Sequence, residues 1–413
     1  MKHVRQSLIR GRLAASVLVL ATAAVVQAGG FKIQDQSTRA MGMADAFVAG
    51  ADDASAIYYN PAGLTELTGP EVIGNLYVAH AVIEASGPGI DETSDGRVYV
   101  IPNFYTASPW FDSENVFVGL GVYSPYGLGS RWGDDTVNAR FVSLGEIRFV
   151  NVNPTVAWRL GDTLSLGAGL DVAYSRAISR QIIDNPPFFT GAELDIDGEG
   201  VGWGYNLGLR WKCREDVTVG LTYRSQIDVH YEGDLDFDAP PGMGFQASAD
   251  TEIRYPETVS LGIQWKATSK LRMEFTAQWD EWSVLEQQIL THTGPLPPAG
   301  MPNPTVSPKK WEDSWVLMLG GEYDLSKVWT LRAGYGYNQT PVPDDTADPS
   351  LPTGDTHAVS VGAGYRLSEH SQLDMALLVA YGTEKTLNNP VAPPDTEYES
   401  VSGYMSVGWR YRF

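Results

Sequence analysis

Side chains that could perform chemistry are scattered along this 413-residue chain rather than grouped in a motif. Hydrolysis needs a nucleophile, a base and an orienting group that converge on one point. The sequence contains no Gly-x-Ser-x-Gly and no His-Glu-x-x-His motif, and its histidines are widely spaced: His3, His80, His230, His292, His357 and His370. We therefore predict that the protein is not an enzyme and uses no cofactor.

Two acidic runs are candidates for metal ligation. Residues 193–197 (Glu-Leu-Asp-Ile-Asp) and 234–238 (Asp-Leu-Asp-Phe-Asp) each place three carboxylates at alternate positions. Carboxylate oxygens are the ligands of hard divalent cations. The same alternation is typical of a strand end with one solvated face. We prefer this second interpretation and predict no metal site.

Composition and charge exclude several classes of protein. With 29 basic and 50 acidic residues and a net charge of −21, the chain would repel a nucleic acid backbone. The 43 glycines and 11% aromatic residues are too many for a disordered or coiled-coil protein. A helical membrane protein would need apolar runs of about 20 residues, and none follows the first thirty residues.

The N-terminus indicates export. Residues 13–26 form an apolar stretch that follows four basic residues and ends at Val26-Gln27-Ala28, a pattern of small residues that signal peptidases cleave. A membrane anchor is the alternative, although the stretch is short for one. We predict a signal peptide over residues 1–28, which leaves 25 basic and 50 acidic residues and a net charge of −25. Cys213, the single cysteine, can form no intramolecular disulfide.

From residue 71 onward the dominant hydrophobic period is two. In the last segment, one face carries Val401, Gly403, Met405, Val407, Trp409, Tyr411 and Phe413, and the other carries small, polar or charged residues. A soluble sandwich also alternates in this way. A membrane barrel is favoured by segments of roughly ten to eighteen residues, by tight turns that alternate with long loops, and by aromatic residues near the ends of the apolar face.

The pattern predicts an all-β fold, a 14-stranded antiparallel transmembrane β-barrel over residues 71–413. The strands are predicted near 71–84, 96–108, 115–127, 146–160, 163–181, 201–213, 216–233, 251–267, 269–286, 312–325, 327–338, 356–367, 370–383 and 400–413. An even number places both ends of the barrel on the periplasmic side. About eight strands suffice for side chains to fill a barrel, so this lumen needs another occupant.

Residues 29–70 are the candidate occupant. They carry small residues at helix-compatible spacing, such as Ala40, Ala44 and Phe47, and then Asn60-Pro61-Ala62. We predict a partly helical hatch that plugs the barrel; a loose periplasmic tail is the alternative.

Short motifs along the mature chain, in this order, resemble the FadL/TodX-type (OmpP1/FadL) family of outer-membrane transporters for long-chain fatty acids and other hydrophobic compounds. They are residues 30–31, 42, 49–53, 60–62, 124–128, 200–204, 221–225, 256–257, 282–283 and 341–343. In that family a hydrophobic ligand is captured at outer loops, binds inside the barrel near the N-terminus, and leaves sideways through a wall gap at a kinked third strand.

The third strand supports this expectation on its own residues. It contains Ser124-Pro125-Tyr126-Gly127, in which proline removes a ladder donor and glycine allows a sharp bend. We predict a kink and lateral opening here; the alternative is that Pro125 ends the strand at the outer rim. The resemblance places Asn60, Pro61 and Ala62 of the hatch near the gap and Phe31 at the internal pocket, whereas a disordered terminus is the other possibility for Phe31.

The polar end of the pocket departs from the family pattern. Some members pair a ligand carboxylate with an arginine and a lysine, and the arginine position corresponds to Gln181 here, with Arg180 on the opposite parity. Lys309 and Lys310 are the candidates for the lysine. A neutral alkane or aromatic hydrocarbon is therefore as serious a candidate as a fatty acid.

The outer capture surface is assigned to two predicted loops, 182–200 and 234–250. They carry Phe188 and Phe189 in one and Met243 and Phe245 in the other. Exposed apolar side chains of this kind indicate a landing surface; packing of the loops over the barrel mouth is the alternative.

Together these features predict a monomeric channel in the bacterial outer membrane for diffusive uptake of hydrophobic molecules. Its partners would be fatty acids, alkanes or aromatic hydrocarbons, and the surrounding membrane lipid and lipopolysaccharide, with no nucleic acid. The alternatives are a general small-solute porin with the same barrel and, further from the pattern, an outer-membrane lipid hydrolase.

Overall fold

The computed structural model describes residues 29–111, 113–294, 302–352 and 354–413. The predicted signal peptide over residues 1–28 lies outside the described residues. No helix in the described part of the chain is long and apolar enough to cross a membrane.

The fold is a closed barrel of fourteen antiparallel strands, as the alternation predicted. Six strands are interrupted and are given as two segments. The strands are β1 (Glu71–Gly87), β2 (Ile90–Thr93 and Val98–Pro109), β3 (Val116–Tyr123 and Gly127–Arg131), β4 (Leu144–Arg159), β5 (Leu164–Asn185), β6 (Phe189–Lys212), β7 (Val217–Arg224 and Ile227–Asp238), β8 (Phe245–Tyr255 and Thr258–Lys266), β9 (Leu271–Asp280 and Gln287–His292), β10 (Thr305–Pro308 and Ser314–Asp324), β11 (Trp329–Asn338), β12 (Thr356–Arg366), β13 (Ser371–Leu387) and β14 (Thr396–Arg412).

The first and last strands close the barrel. β1 pairs with β14 without a break from Glu71↔Arg412 to Ser86↔Glu397. Closure is required because an open strand edge in hydrocarbon would leave backbone groups without hydrogen bonds, at several kcal/mol each.

Side chains alternate strictly between the two faces of the wall. In β14, Val401, Met405, Val407 and Trp409 are exposed on the outer face, whereas Ser402, Tyr404 and Ser406 are buried on the lumen face. The expected aromatic residues also lie on the outer face, among them Trp158, Trp211, Trp265, Trp315, Tyr323 and Trp329. This outer band has the composition that contact with lipid requires.

The outer ends of β5 to β8 are longer than predicted. The segments 182–200 and 234–250, expected as loops, are almost wholly strand, and their hairpin turns are confined to residues 186–188 and 239–244. The physical reason is the alternation within the acidic runs. Leu194, Leu235 and Phe237 turn inward and pack together, while Glu193, Asp195 and Asp197 lie on the other face and pair with Arg176 and Arg180.

The hatch, residues 29–70, lies inside the barrel. It contains two short helices, α1 (Thr38–Met41) and α2 (Ala56–Tyr59), followed by a 3₁₀ helix (Pro61–Glu66). From Gly29 to Thr65 all its residues are buried except Asp52 and Tyr58, which are partly buried. Of two further 3₁₀ turns, Asn138–Arg140 lies between β3 and β4, and Trp282–Val284 lies between the two segments of β9.

Candidate functional site

The third strand is broken at Ser124, Pro125 and Tyr126, and the start of the hatch pairs with the broken segment. The amide of Ile33 donates to the carbonyl of Pro125 at 2.8 Å, and the amide of Gly127 donates to the carbonyl of Phe31 at 2.8 Å. Lys32 forms the intervening antiparallel bridge with Tyr126. The strand resumes at Gly127 and continues to Arg131, so Pro125 does not end it at the rim.

The wall ladder between β2 and β3 is interrupted at the same level. The two strands pair from Phe104↔Val122 down to Pro109↔Phe117. Above that, the upper segment of β3 pairs with β4, and the described residues contain no ladder between it and Val98–Asn103. The strands meet again where the amide of Asp95 donates to the carbonyl of Arg131 at 2.7 Å. We call the space between Val98–Asn103 and Ser124–Ser130 the β2–β3 break.

Gln36 of the hatch joins both sides of this break. Its side-chain amide donates to the carbonyl of Ser124 at 2.9 Å and accepts from the Ser124 amide at 3.2 Å. Its backbone carbonyl accepts from Tyr105 at 2.9 Å and from Asn103 at 3.2 Å, both on β2. Gln36 is completely buried. Sequence reasoning missed this residue, because nothing near position 36 marks a contact with residues 67 to 88 positions away.

Phe31 fills an aromatic cage made by the barrel wall. Its ring centroid lies 4.8 Å from Trp282, 5.3 Å from Trp311, 5.5 Å from Tyr255 and 6.5 Å from Tyr126. The preceding Gly30 has φ +65, and a Cβ there would lie 2.7 Å from the Trp282 ring, so glycine is required. The buried indole nitrogen of Trp282 has no hydrogen-bond partner in the described part of the chain. The cage therefore combines apolar walls with one free donor.

Lys32 carries the charge nearest to the cage, and that charge is neutralised. Its ammonium nitrogen lies 2.5 Å from a carboxylate oxygen of Asp280 and 2.7 Å from the hydroxyl of Thr258. Both partners of the ion pair are buried. A buried pair of this kind fixes position, because removing either partner would leave an uncompensated charge.

Further ion pairs attach the hatch to strand β10 of the wall. Arg39 contacts Asp52 and Asp53 of the hatch, and it also lies 2.7 Å from Glu322 of β10. Glu322 in turn pairs with Arg272 at 2.9 Å and with Arg332 at 3.1 Å. Charged residues of the lumen thus hold the hatch in place. The sequence alone did not show this function for the lumen charge.

Asn60, Pro61 and Ala62 seat the hatch on the wall strands β5 and β6. The side-chain amide of Asn60 donates to the carbonyls of Val48 and Leu209, at 2.9 Å and 3.1 Å. Pro61 lies against Gly167 of β5 and Gly208 of β6, where any Cβ would overlap it. The 3₁₀ helix that begins at Pro61 also contacts β2, β3 and β4, and packing of the turn at the wall gap stays a prediction.

The residues proposed for the polar end of the pocket have separate partners. The Gln181 amide donates to the carbonyl of Arg140 at 2.6 Å. Arg180 pairs with Asp195 at 2.6 Å and Glu193 at 2.9 Å. Lys309 and Lys310 pair with loop carboxylates, Asp348 at 3.0 Å and Asp345 at 2.8 Å. No hydrogen bond or ion pair among the described residues joins Gln181 to either lysine.

The ion pair between Lys309 and Asp348 is stabilised because the Asp348 carboxylate stays charged. Burial would raise the pKa of Asp348, but the adjacent Lys309 ammonium and hydrogen bonds from Ser350 hold this pKa below its ordinary value. The carboxylate therefore stays charged and keeps the lysine engaged. A ligand carboxylate would have to compete with Asp348 for it.

Of the four apolar residues proposed for outer capture, one is buried, two are half-buried and one is exposed. Phe189 is buried and packs edge-to-face on Phe237 at 5.8 Å, and Phe245 stacks obliquely on the other side of Phe237 at 5.8 Å. Met243 packs against the same cluster. Phe188 is 66% exposed at the tip of the β5–β6 hairpin. Within the described ranges, no group of three or more His, Cys, Asp or Glu side chains is arranged to hold a metal ion.

Comparisons with known proteins agree over nearly the full chain. A family model described as outer membrane protein transport protein (OMPP1/FadL/TodX) matches residues 19–413. An outer membrane protein of Neisseria meningitidis serogroup B is 26% identical, with 96% of this chain and 98% of the relative covered. A long-chain fatty acid transport protein of Escherichia coli O6:H1 is 24% identical, with 98% of each covered.

Two solved structures share the fold. The structure of a FadL homologue from Pseudomonas aeruginosa superimposes with a TM-score of 0.81 at 22% identity, covering 93% of this chain and 100% of that one. The toluene transporter TodX of Pseudomonas putida gives a TM-score of 0.70 at 18% identity, with 95% and 100% covered.

Proposed function

The chain belongs to the OMPP1/FadL/TodX family of outer membrane transport proteins, and from this we propose a route for its hydrophobic cargo. The cargo lands at the outer hairpins, binds in the aromatic cage by displacing Phe31, and leaves sideways through the β2–β3 break. The protein thus acts by diffusion without covalent chemistry. The observation that carries the proposal is that a single hatch segment, Phe31–Gln36, contacts both the cage and the break.

Landing at the outer hairpins is supported by Phe188. Its side chain projects at the tip of the β5–β6 hairpin, while Phe189 and Phe237 hold that hairpin against the β7–β8 hairpin. An exposed aromatic ring on a rigid support can take up an apolar molecule at low entropic cost. The proposed capture surface is therefore smaller than the four residues first assigned to it.

Binding in the cage is supported by its walls. Trp282, Trp311, Tyr126 and Tyr255 surround the ring of Phe31, so an apolar molecule of similar size can replace the ring with little change in buried area. Burial is worth about 25 cal/mol per Å² of apolar surface. A ligand that buries more apolar surface than the Phe31 ring would bind more favourably than the ring, by about 25 cal/mol for each additional Å².

Sideways exit is supported by the coupling between the cage and the break. Phe31 and Ile33 pair through their backbones with Gly127 and Pro125, so moving Phe31 out of the cage pulls on the strand that borders the break. While the hatch is in place, it satisfies backbone groups that would otherwise face hydrocarbon. These backbone hydrogen bonds would break only when cargo displaces the hatch segment, so the break would open only when cargo is present.

A neutral hydrocarbon is the cargo class that the charges favour. Arg180, Lys309 and Lys310 are each engaged by a carboxylate, and Lys32 beside the cage is paired with Asp280. The relatives named above include both a fatty acid transport protein and a toluene transporter. The aromatic walls of the cage suit an alkane or an aromatic ring better than a carboxylate. The role of Gln181 stays a prediction.

Closing the break tests the proposal. In Pro125→Ala with Gly127→Val, alanine restores a ladder donor and valine favours extended backbone. We expect β3 to straighten and pair with Val98–Asn103. Uptake of radiolabelled hexadecane by cells expressing the full chain should fall several-fold, and Pro125→Ala alone should give an intermediate loss.

The matched control is Pro154→Ala. Pro154 lies in β4 and pairs with Leu120 of β3, and the ladder with β5 continues on either side of it, at Val152↔Val172 and Thr155↔Gly169. This variant also removes a strand proline but leaves the break unchanged, so uptake should match that of the unmodified protein. Undiminished uptake in the double variant, with its barrel shown to be folded by heat-dependent migration on gels, would refute exit at this site.

A further inference from the structure

The outer surface of the barrel carries a hollow beside the β2–β3 break. It has a volume of about 450 Å³ and spans β14, β1, β2 and β3. Its lining includes Gly74, Leu76, Phe104, Val122, Val407 and Trp409. A Cβ at Gly74 would have no atom within 4 Å, so the absence of a side chain at this position opens the hollow.

The hollow adjoins the break through shared residues. Pro102 and Asn103 belong to the part of β2 that pairs with β1 but has no ladder to β3, and they also line the hollow. Phe104 and Val122, which also line the hollow, form the uppermost rung of the β2–β3 ladder. A molecule that passes through the break therefore meets the hollow directly below it.

The lining selects for apolar molecules. Leu76, Phe104, Val407 and Trp409 present exposed apolar side chains on the lipid face. The two asparagines turn into the lumen, where Asn75 accepts a hydrogen bond from Thr38 and Asn103 donates one to Gln36. The indole N–H of Trp409 donates to Ser371. The residues that line the hollow include no charged side chain, so the hollow offers a ligand no ion-pair partner.

The volume also fits a binding site. Small-molecule sites typically measure about 300–1,000 Å³, and smooth strand faces leave no hollow of this kind. Gly74 pairs with Trp409 near the ends of the barrel where both termini lie, which is the periplasmic side of such barrels. The hollow thus extends from the break toward the periplasmic leaflet.

We propose that this hollow is a binding site for the transported hydrophobe after it has left the barrel, and that it directs the molecule toward the periplasmic leaflet. The inference rests on the proposed sideways exit. The occupant is the cargo itself, a neutral alkane chain or aromatic ring, because the hollow is continuous with the break and has no partner for a polar head group. Occupancy by a membrane lipid chain instead is an outcome that the test distinguishes.

The test fills the hollow from Gly74. Gly74→Leu and Gly74→Phe should slow hexadecane uptake by cells in proportion to side-chain size, several-fold for phenylalanine. Binding of hexadecane to the detergent-solubilised protein should be unchanged, because the aromatic cage is untouched. Gly403→Phe is the control. Gly403 also faces lipid with no atom within 4 Å of a Cβ, but it lies in β14 outside the hollow.

Two outcomes of this test would overturn the inference. Unchanged uptake in Gly74→Phe would mean that the cargo does not use the hollow. Faster uptake would mean that a lipid chain occupies it and competes. If Pro125→Ala with Gly127→Val blocks uptake while Gly74→Phe does not, only the hollow fails; if neither affects uptake, the proposed sideways exit fails.

Photolabelling of the unmodified protein gives a second readout that does not depend on any variant. With a diazirine-bearing alkane added to outer-membrane vesicles, we expect labels concentrated at residues 74–76 and 407–409. Labels spread evenly over the lipid face would contradict the inference.

Discussion

At the scale of single residues, Gln36 does most to connect the hatch with the wall. Its backbone carbonyl holds β2, and its side chain holds the broken segment of β3. The two contacts can be separated by substitution, because only the second depends on the side chain. This makes Gln36 the residue at which the proposed coupling can be measured.

We expect Gln36→Leu to loosen β3 and leave β2 held. Leucine has a similar size but cannot accept from the Ser124 amide, and a buried unsatisfied group costs about 1–3 kcal/mol. Hydrogen–deuterium exchange at the Ser124 and Gly127 amides should speed up by about tenfold or more.

Gln34→Leu is the control for this measurement. Gln34 is also a buried hatch glutamine, but its amide nitrogen has no hydrogen-bond partner in the described residues. Exchange at Ser124 should be unchanged in this variant. Equal exchange in both variants would show that the side chain of Gln36 does not hold the strand.

Some site residues could be found from the sequence and others could not. The Ser124–Gly127 segment was identifiable because proline and glycine act locally on the strand that contains them. The aromatic cage was not, since Tyr126, Tyr255, Trp282 and Trp311 come from four distant parts of the chain and meet only when the barrel closes. Gln36 belongs to this second kind.

At the scale of elements, the hatch fits the barrel through glycines in the wall. A Cβ at Gly208 would lie 2.3 Å from Asn60 and 2.8 Å from Pro61. The Asn60 side chain is held by hydrogen bonds to Val48 and Leu209, and the ring of Pro61 is rigid, so a small adjustment cannot relieve overlap at this distance. The seat of the 3₁₀ helix therefore depends on wall positions that lack a side chain.

Gly208→Val should consequently displace the hatch while leaving the barrel closed. We expect a several-fold larger ion conductance in planar bilayers, because the lumen is filled by the hatch. Gly403→Val, at an open lipid-facing position of β14, should conduct like the unmodified protein. Identical conductance of the two variants would mean that the hatch does not depend on this seat.

The strands were predicted in number but not in extent. The alternation predicted fourteen strands, because the face that each side chain occupies can be assigned within a single segment. The acidic runs were assigned to loops, although their alternation continues the strands into hairpins held by Leu194, Leu235 and Phe237. These packing partners lie in two separate hairpins, so neither sequence segment alone reveals the contact.

At the scale of the whole molecule, polarity is divided between the two sides of the wall. The outer face is apolar, and charged residues lie in the lumen, the hatch and the outer hairpins. Averaging over the chain conceals this division, which explains a mean hydropathy of −0.17 in a membrane protein. The lumen cluster around Arg39 and Glu322 joins three arginines to three carboxylates, so it does not account for the excess of acidic residues.

The central claim is that cargo leaves through the wall into the bilayer. The most direct measurement uses vesicles with lipopolysaccharide in the outer leaflet and brominated phospholipid in the inner leaflet. A pyrene-labelled alkane is added outside, and quenching of pyrene reports its arrival in the membrane. Rapid quenching with the unmodified protein, and slow quenching with Pro125→Ala and Gly127→Val, is the result expected. Equal quenching rates with the two proteins would contradict the account.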